Sequence, residues 1–287
     1  MRYSELWARA SEKIAAAGIL EAELDARLLL QAASGMDHTA LLLAAREEVN
    51  PVAAGSFQKM LARRLMREPV AYIVGEQEFW SHAFHVTPSV LIPRPETEFL
   101  IEQVLQLASP DNLTGNVLDL CTGSGAIAVV LGLELPQAAT IFASDISAAA
   151  LAVAVENSSR HLPAKRVSFL RGNLLQPIAC DSLSLVISNP PYVLRHEIEY
   201  EVEPDVRDYE PHLALNGGED GLDLIRQILC HLCRVLRPGG EFFLEFGAGQ
   251  GDAVRDLFAS DFDHVQIYQD YAGRDRVLHA RLAPQPL

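Results

Sequence analysis

The tetrapeptide Asn189-Pro190-Pro191-Tyr192 contains the residue types needed to hold a planar amino group. The Asn189 side-chain oxygen and the Pro190 carbonyl are both acceptors, so together they can take both hydrogens of an –NH2 group. The Tyr192 ring can lie against the face of the same group. The alternative is an ordinary Asn-Pro-Pro turn without a ligand. We interpret the motif as a site that binds an amide or amino-purine nitrogen and presents it to an electrophile.

The residues before this motif predict where it lies. The apolar run Leu183–Ser188 is typical of a buried parallel strand. Proline has no N–H to donate, so Pro190 and Pro191 end the strand and stiffen the turn. Open α/β sheets bind ligands at the carboxyl ends of their strands. We therefore expect the tetrapeptide at the ligand-binding edge of a sheet.

A second motif, Val117–Gly125, predicts a strand that runs into a glycine turn and then a helix. Gly123 and Gly125 have no Cβ, so a ligand can approach their backbone closely. The free N–H groups of the following helix favour a carboxylate or a phosphate. Asp145 ends the next predicted strand, where an acid can accept hydrogen bonds from ribose hydroxyls. The segment therefore predicts a site for a cofactor that contains a nucleoside.

Two cofactors remain compatible with that segment. Gly123-x-Gly125-x-x-Ala128, followed by Asp145, also satisfies the dinucleotide fingerprint of nicotinamide dehydrogenases. However, Asp119 precedes the turn within the first strand, as it does in S-adenosylmethionine-dependent methyltransferases. Hydride transfer has no use for an Asn-Pro-Pro-Tyr motif. We therefore favour S-adenosyl-L-methionine as the cofactor.

Composition restricts the class of protein. The chain has 287 residues, of which 49% are hydrophobic and 21% charged, which fits one large domain and a smaller one. Its net charge of −15 disfavours a phosphate-backbone partner. The N-terminus is charged where a signal peptide needs an apolar core, and no apolar run approaches the length of a membrane span. We expect a cytoplasmic monomer without membrane or nucleic-acid partners.

The order of elements predicts three parts. Residues 1–75 are typical of a helical bundle, residues 76–93 of a β-hairpin connector, and residues 94–287 of a methyltransferase domain. In the last part strands and helices alternate, which predicts an α/β fold with a Rossmann-like, doubly wound, seven-stranded sheet. Helices are expected at 56–67, 98–107, 126–133, 148–161 and 222–236, and strands at 116–120, 140–144, 167–171, 183–188, 241–246 and twice within 264–282.

From end to end the chain resembles the release-factor glutamine methyltransferases, the PrmC/HemK family. Beside the two motifs, the resemblance rests on Arg67–Gly75, Leu91–Glu98, Ala214–Leu222 and Asp270–Val277. Asn-Pro-Pro-Tyr alone also occurs in adenine and guanine amino-methyltransferases, so methylation of nucleic acid remains the alternative function. A binding protein with an inactive site is a third.

The resemblance implies methyl transfer from S-adenosyl-L-methionine to the glutamine nitrogen of the Gly-Gly-Gln motif in peptide chain release factors. It implies that the helical domain binds this protein substrate. It also implies a role for each candidate residue. Those of the cofactor site are Asp119, Cys121, Thr122, Gly123, Ser124 and Gly125 at the methionine end, Asp145 and Ile146 at the ribose, Asn173 and Leu174 near the adenine, and Asn189. Those of the glutamine site are Asn189, Pro190, Pro191 and Tyr192.

Three positions depart from the family pattern. Asn173 stands where the family often has an acid, and Leu174 where it sometimes has an aromatic residue. Ser81 stands where a glycine is expected in the hairpin. No metal site is expected, because Cys230-His-Leu-Cys233 lies in a predicted helix and lacks a second ligand pair.

Overall fold

The computed structural model describes residues 1–283, which belong to two compact units. The first unit comprises Met1–Glu76 and a separate segment, Glu203–Tyr209. The second comprises Gln77–Val202 and the chain from Glu210 onward.

The first unit is a helical bundle. Its main helices are α1 (Tyr3–Ala16), α2 (Ala22–Ser34), α3 (His38–Leu43), α4 (Pro51–Leu65) and α5 (Val70–Val74). Leu6, Ala10 and Ile14 recur at helical spacing along α1 and are buried, so this face builds the core of the unit. Helix α4 begins at Pro51 rather than at the predicted residue 56. The reason is an Asn50 cap, whose side-chain oxygen accepts from Val52 N at 2.8 Å.

Within residues 1–283, no single helix is long and apolar enough to cross a membrane. A bent pair, Ala22–Ser34 with His38–Arg46, passes that test by length and composition only.

A two-stranded hairpin follows α5, with strands β1 (Glu76–Phe79) and β2 (His82–His85), and all of it from Gln77 onward belongs to the second unit. Its two turn residues, Trp80 and Ser81, have φ values of 53° and 58°. Positive φ at both positions matches the twist of the flanking strands. Ser81 therefore adopts the left-handed backbone for which a glycine was expected.

The second unit is built on a seven-stranded sheet, which confirms the predicted α/β fold class. The strand order is β5-β4-β3-β6-β7-β9-β8, with β9 antiparallel to both of its neighbours and the other pairs parallel. The strands are β3 (Asn116–Leu120), β4 (Thr140–Asp145), β5 (Val167–Arg171), β6 (Leu183–Ser188), β7 (Leu236–Glu245), β8 (Phe262–Gln269) and β9 (Asp275–Leu282). The carboxyl ends of β3, β4 and β6 therefore share one edge.

Two apolar clusters cover the faces of this sheet. One cluster joins the hairpin, α6 (Pro95–Leu107) and α8 (Ala126–Glu134), and the other joins α12 (Asp223–Val235) and α13 (Gly251–Phe258). Helix α9 (Ala148–His161) packs against α8. Burial on both faces explains why β6 is a continuous apolar run. The remaining short helices are α7 (Pro110–Leu113), α10 (Arg195–Tyr200) and α11 (Pro204–Tyr209).

Several predicted boundaries were wrong. Strand β7 begins at Leu236, not at residue 241, because Leu236 already pairs with Leu183 of β6 across a register shift. Helix α6 begins at Pro95, not at residue 98, because proline suits the first helical position. The sequence did not predict that Glu203–Tyr209 belongs to the first unit, nor helices α7, α10, α11 and α13.

Candidate active site

A cleft with about 1160 Å³ of free space, part of it open to solvent, lies at the carboxyl edge of the sheet. It is lined by the ends of β3 and β4, by the loops that follow β3, β4, β5 and β6, by the segment before α6, and by residues 211–214. These candidate residues line it: Cys121, Thr122, Gly123, Ser124, Asp145, Ile146, Asn173, Leu174, Asn189 and Pro191. Asp119, Gly125, Pro190 and Tyr192 are not among the lining residues, but each is next in sequence to one that is. The fold thus brings both sequence motifs to one cavity.

Asp119 supports the glycine loop from below. Its carboxylate is fully buried and accepts hydrogen bonds from the Thr122 hydroxyl and from Ala128 N, at 3.0 Å, in the first turn of α8. Burial raises the pKa of Asp119 to about 7, although the two hydrogen bonds oppose this. Asp119 therefore shapes the loop that lines the cleft.

Asp145 ties the same loop to β4. Its carboxylate accepts from Gly123 N at 3.0 Å and from Ser147 N at 2.8 Å. A carboxylate has about four acceptor positions, so this side chain retains capacity for the hydroxyls of a ribose. Its position at the end of β4 is the one expected for a ribose acceptor.

The cleft also fits the rest of S-adenosyl-L-methionine. Ser144 lines it with a buried hydroxyl that has no hydrogen-bond partner within residues 1–283. Such a group is costly unless a ligand satisfies it. A Cβ on Gly123 would meet no heavy atom within 4 Å, so the backbone there is open to close approach. These observations support cofactor binding by the loop.

Two lining residues hold an unfavourable backbone conformation. Cys121 and Leu174 have φ values of 63° and 47°, a left-handed region that costs non-glycine residues about 1–2 kcal/mol. Strain of this kind concentrates at functional sites. Burial also raises the pKa of the Cys121 thiol to about 12, so it stays protonated and is no nucleophile at neutral pH.

A hydrogen-bond chain connects the Asn189 and Tyr192 side chains of the Asn-Pro-Pro-Tyr motif. Asn189 Nδ2 donates to Thr97 Oγ1 at 3.0 Å, and Thr97 Oγ1 donates to Glu245 Oε2 at 2.8 Å. Tyr192 Oη donates to the other oxygen, Glu245 Oε1, at 3.0 Å. One buried carboxylate therefore orients both Asn189 and Tyr192.

The electrostatics of this chain follow from burial. Burial raises the pKa of Glu245, whereas the hydrogen bonds from Thr97 and Tyr192 and the charge of Arg276 lower it. Burial and the Glu245 charge also raise the pKa of Tyr192. The Tyr192 hydroxyl consequently remains a protonated donor at any physiological pH.

The backbone of Tyr192 is held separately. Gln250 Nε2 donates to the Tyr192 carbonyl at 3.0 Å and to the Asp220 carbonyl at 3.3 Å. Gly247 N donates to Gln250 Oε1 at 2.8 Å. Gln250 therefore joins the ends of β6 and β7 to the Ala214–Leu222 loop.

The segment before α6 contacts the loop after β6 through an ion pair and a hydrogen bond. The guanidinium of Arg94, which lines the cleft, pairs with the buried carboxylate of Glu210, and Ile92 N donates to that carboxylate at 3.2 Å. The Glu98 carboxylate accepts a hydrogen bond from Trp80 N, in the turn of the hairpin, at 2.6 Å. Arg94 thus belongs to the wall of the cleft and Glu98 to the hairpin junction.

Sequence reasoning missed Thr97, Gln250 and Glu245. A signal existed for Glu245, because it is an acid inside the otherwise apolar run Phe242–Phe246. Thr97 lies in the Leu91–Glu98 segment that carries the resemblance, but its type alone does not indicate a role. Nothing in the sequence around Gln250 indicated a role for that residue.

Comparison with known families adds independent findings. Residues 5–75 match the family model described as the PrmC N-terminal domain. Residues 95–218 match the model described as the methyltransferase small domain.

Relatives of high similarity span nearly the whole chain. A release factor glutamine methyltransferase of Cereibacter sphaeroides is 44% identical and covers 98% of this chain and 99% of its own. One from Moorella thermoacetica is 43% identical and covers 93% and 94%. The crystal structure of a methyltransferase from Pyrococcus furiosus has a TM-score of 0.52 at 16% identity and covers 79% of this chain and 99% of its own. That structure supports the fold alone.

Proposed function

This chain belongs to the release factor glutamine methyltransferases, and from that premise we propose how its residues carry out the reaction. It is an S-adenosyl-L-methionine-dependent enzyme that methylates a release factor glutamine. The target in our proposal is the side-chain nitrogen (N5) of the glutamine in the Gly-Gly-Gln motif. The observation that carries the proposal is the Asn189 carboxamide, oriented by Thr97 at the wall of the cleft.

The cofactor, in this proposal, is held by the Cys121–Gly125 loop, by Asp145 and by the Asn173–Leu174 turn. When bound, S-adenosyl-L-methionine supplies an electrophilic methyl group. Asp145 accepts hydrogen bonds from the ribose, and Ile146, 48% exposed beside it, offers an apolar contact. Leu174 closes the apolar floor of the cleft, and the Asn173 amide replaces an acid as hydrogen-bond partner of the adenine.

The substrate amide presents a specific difficulty, since its nitrogen lone pair is delocalised into the carbonyl group. Asn189 Oδ1 and the Pro190 carbonyl accept both amide hydrogens, which draws electron density onto that nitrogen and sets its direction. Correct placement of reacting groups supplies on the order of 7–11 kcal/mol in well-oriented intramolecular reactions. The same two acceptors stabilise the positive charge that develops on the nitrogen.

Tyr192 completes the glutamine site. Its ring lies on the amide plane and excludes water, while its hydroxyl stays engaged with Glu245. Pro191 lines the cleft and, with Pro190, keeps the turn rigid. Asn189, Pro190 and Tyr192 are thus the residues that touch the reacting amide.

The direct test uses labelled S-adenosyl-L-methionine and an unmodified release factor, beside the same factor with Gly-Gly-Gln changed to Gly-Gly-Ala. Label on the unchanged factor alone supports the proposal. No label on either factor, with cofactor binding confirmed by calorimetry, overturns it, and RNA and DNA then become the substrates to test.

Asn189→Ala should lower kcat by about 10²–10³-fold, the usual effect of removing one group that stabilises developing charge. Asn116→Ala is the matched control, because Asn116 binds the Ser182 carbonyl in the loop before β6 and does not line the cleft. Near-normal turnover of Asn189→Ala in the purified-factor assay contradicts the assigned role.

The helical unit, in this proposal, binds the release factor outside the Gly-Gly-Gln motif. Leu43 and Val52 are 81% and 80% exposed there, which suits apolar contact with a protein. Leu43→Ser and Val52→Ser should raise KM for the whole release factor and leave KM for a short Gly-Gly-Gln peptide unchanged. Equal KM values for the whole factor in both variants and wild type refute this role.

A further inference from the structure

Two residues outside the Asn-Pro-Pro-Tyr motif control the direction of its asparagine. Thr97 lies in the first turn of α6 and is buried, with 5% of its surface exposed. Glu245 is the last residue of β7 and is fully buried. The hydrogen bonds from Asn189 to Thr97 and from Thr97 to Glu245 form a relay that ends on the carboxylate.

The polarity of this relay follows from the chemistry of its members. Both oxygens of Glu245 accept hydrogen bonds, one from Tyr192 at 3.0 Å and one from Thr97 at 2.8 Å, so Thr97 donates its single hydroxyl hydrogen to Glu245. The Thr97 oxygen can then act only as an acceptor toward Asn189, which therefore presents Nδ2 to it. Since an amide carries its oxygen and nitrogen on opposite sides, Asn189 Oδ1 points away from Thr97.

We propose that Glu245 and Thr97 are positioning residues that keep the acceptor oxygen of Asn189 toward the substrate and so select glutamine over glutamate. This inference rests on the proposed function, in which Asn189 Oδ1 and the Pro190 carbonyl bind the substrate –NH2 group. A glutamate carboxylate has no hydrogen to offer two acceptors.

The hydroxyl of Tyr192 binds the same carboxylate as Thr97. It donates to the second oxygen of Glu245, so the carboxylate faces a donor on each side. Glutamine at position 245 keeps the size of the side chain but presents –NH2 to one of these two donors. Glu245→Gln must therefore reverse the hydrogen bond with Thr97 or the one with Tyr192, because that hydroxyl would have to accept from the new –NH2 group.

The test compares wild-type enzyme with Thr97→Val, Thr97→Ser and Glu245→Gln. Valine keeps the shape of threonine without its hydroxyl, whereas serine keeps the hydroxyl. Each variant is assayed for kcat on an unmodified release factor and for competitive inhibition by the same factor carrying Gly-Gly-Glu. Because both factors make the same contacts elsewhere, the ratio of their affinities isolates the choice between amide and carboxylate.

We expect Thr97→Val and Glu245→Gln to lower kcat by about 10–100-fold and to reduce the glutamine-to-glutamate affinity ratio by at least tenfold, since unpaired polar groups carry such discrimination. Thr97→Ser should restore both quantities to near the wild-type values. All variants should keep the wild-type affinity for S-adenosyl-L-methionine, because neither position belongs to the cofactor loop.

Ser184→Ala is the structural control. Ser184, like Thr97, is a buried residue, and its hydroxyl donates to the Asn112 and Asn116 carbonyls at 2.9 and 2.8 Å, near the start of β6 and away from Asn189. It should lower stability without changing the affinity ratio. If Thr97→Val does not fold, Glu245→Gln decides the matter through the same ratio.

Two failures are distinguishable. A wild-type enzyme that leaves the release factor unlabelled refutes the proposed function. An active wild type whose affinity ratio is unchanged in Thr97→Val and Glu245→Gln refutes the positioning role alone.

Discussion

Replacing Gly125 by alanine would place a methyl group against the backbone of a neighbouring helix. Gly125 has a φ of 81° and precedes α8. A Cβ there would lie 2.9 Å from Ala154 Cβ and 3.0 Å from Ala154 Cα. Ala154 is fully buried within α9, so these atoms can retreat only if the helix shifts.

The expected loss of stability has two parts. A left-handed backbone costs a non-glycine residue about 1–2 kcal/mol. Overpacking a well-filled contact costs typically about 1–3 kcal/mol. Gly125→Ala should therefore lower the free energy of unfolding by about 2–5 kcal/mol, which is a large part of the stability of an ordinary domain.

Gly123→Ala is the matched control in the same loop. Its φ of 55° carries the backbone cost of about 1–2 kcal/mol, but its Cβ would meet no heavy atom within 4 Å. Because Gly123 lines the cleft, its methyl group should instead weaken the binding of S-adenosyl-L-methionine.

Urea denaturation followed by circular dichroism measures the free energy of unfolding. Calorimetric titration with S-adenosyl-L-methionine measures the affinity for the cofactor. The geometry requires that Gly125→Ala lose more stability than Gly123→Ala. Equal losses of stability in the two variants would show that α9 shifts away from the added methyl group at little cost, and the packing argument would then be wrong.

Two further predictions concern buried charges. Arg64→Met removes the guanidinium that pairs with Asp25 at 2.6 Å and Asp205 at 2.5 Å, so the free energy of unfolding should fall by about 3–5 kcal/mol in urea denaturation. The Arg63 side chain is 42% exposed, so Arg63→Met should lower the free energy of unfolding by only about 0–1 kcal/mol. If Arg63→Met and Arg64→Met lose the same free energy of unfolding, the burial argument is wrong. Since burial raises the pKa of Asp119 to about 7, the folded protein retains a proton that the unfolded chain releases near pH 4. The free energy of unfolding of the wild type should therefore fall by on the order of 4 kcal/mol, relative to that of Asp119→Asn, as pH rises from about 4 to 7. Urea denaturation at each pH measures this difference. Parallel pH profiles of the two proteins would refute the expectation.

Local signals were sufficient for much of the fold. Strands β3, β5 and β6 begin and end where the sequence predicts, because apolar runs bounded by glycine, proline or polar residues have few alternatives. Strand β7 was placed too late. Gly239 and Gly240 indicate a turn, but pairing with β6 extends the strand back through them.

The Glu203–Tyr209 segment shows a second limit. Its pattern is that of a surface loop, yet Asp205 pairs with Arg64, a residue 141 positions earlier in the chain. Tyr209 Oη likewise donates to the Met66 carbonyl at 2.6 Å. Because these contacts are distant in sequence, no local periodicity can indicate them.

The sequence by itself determined the two motifs, the class of cofactor and the edge of the sheet where they meet. These features depend on backbone chemistry within a few residues: prolines that end a strand, and glycines that open a loop. Only the tertiary structure decided which way the Asn189 amide faces. That direction depends on Thr97 and Glu245, 148 residues apart, which meet because α6 packs against the end of β7. A hydrogen-bond direction is a property of the partners that folding brings together, and it is absent from the residue types alone.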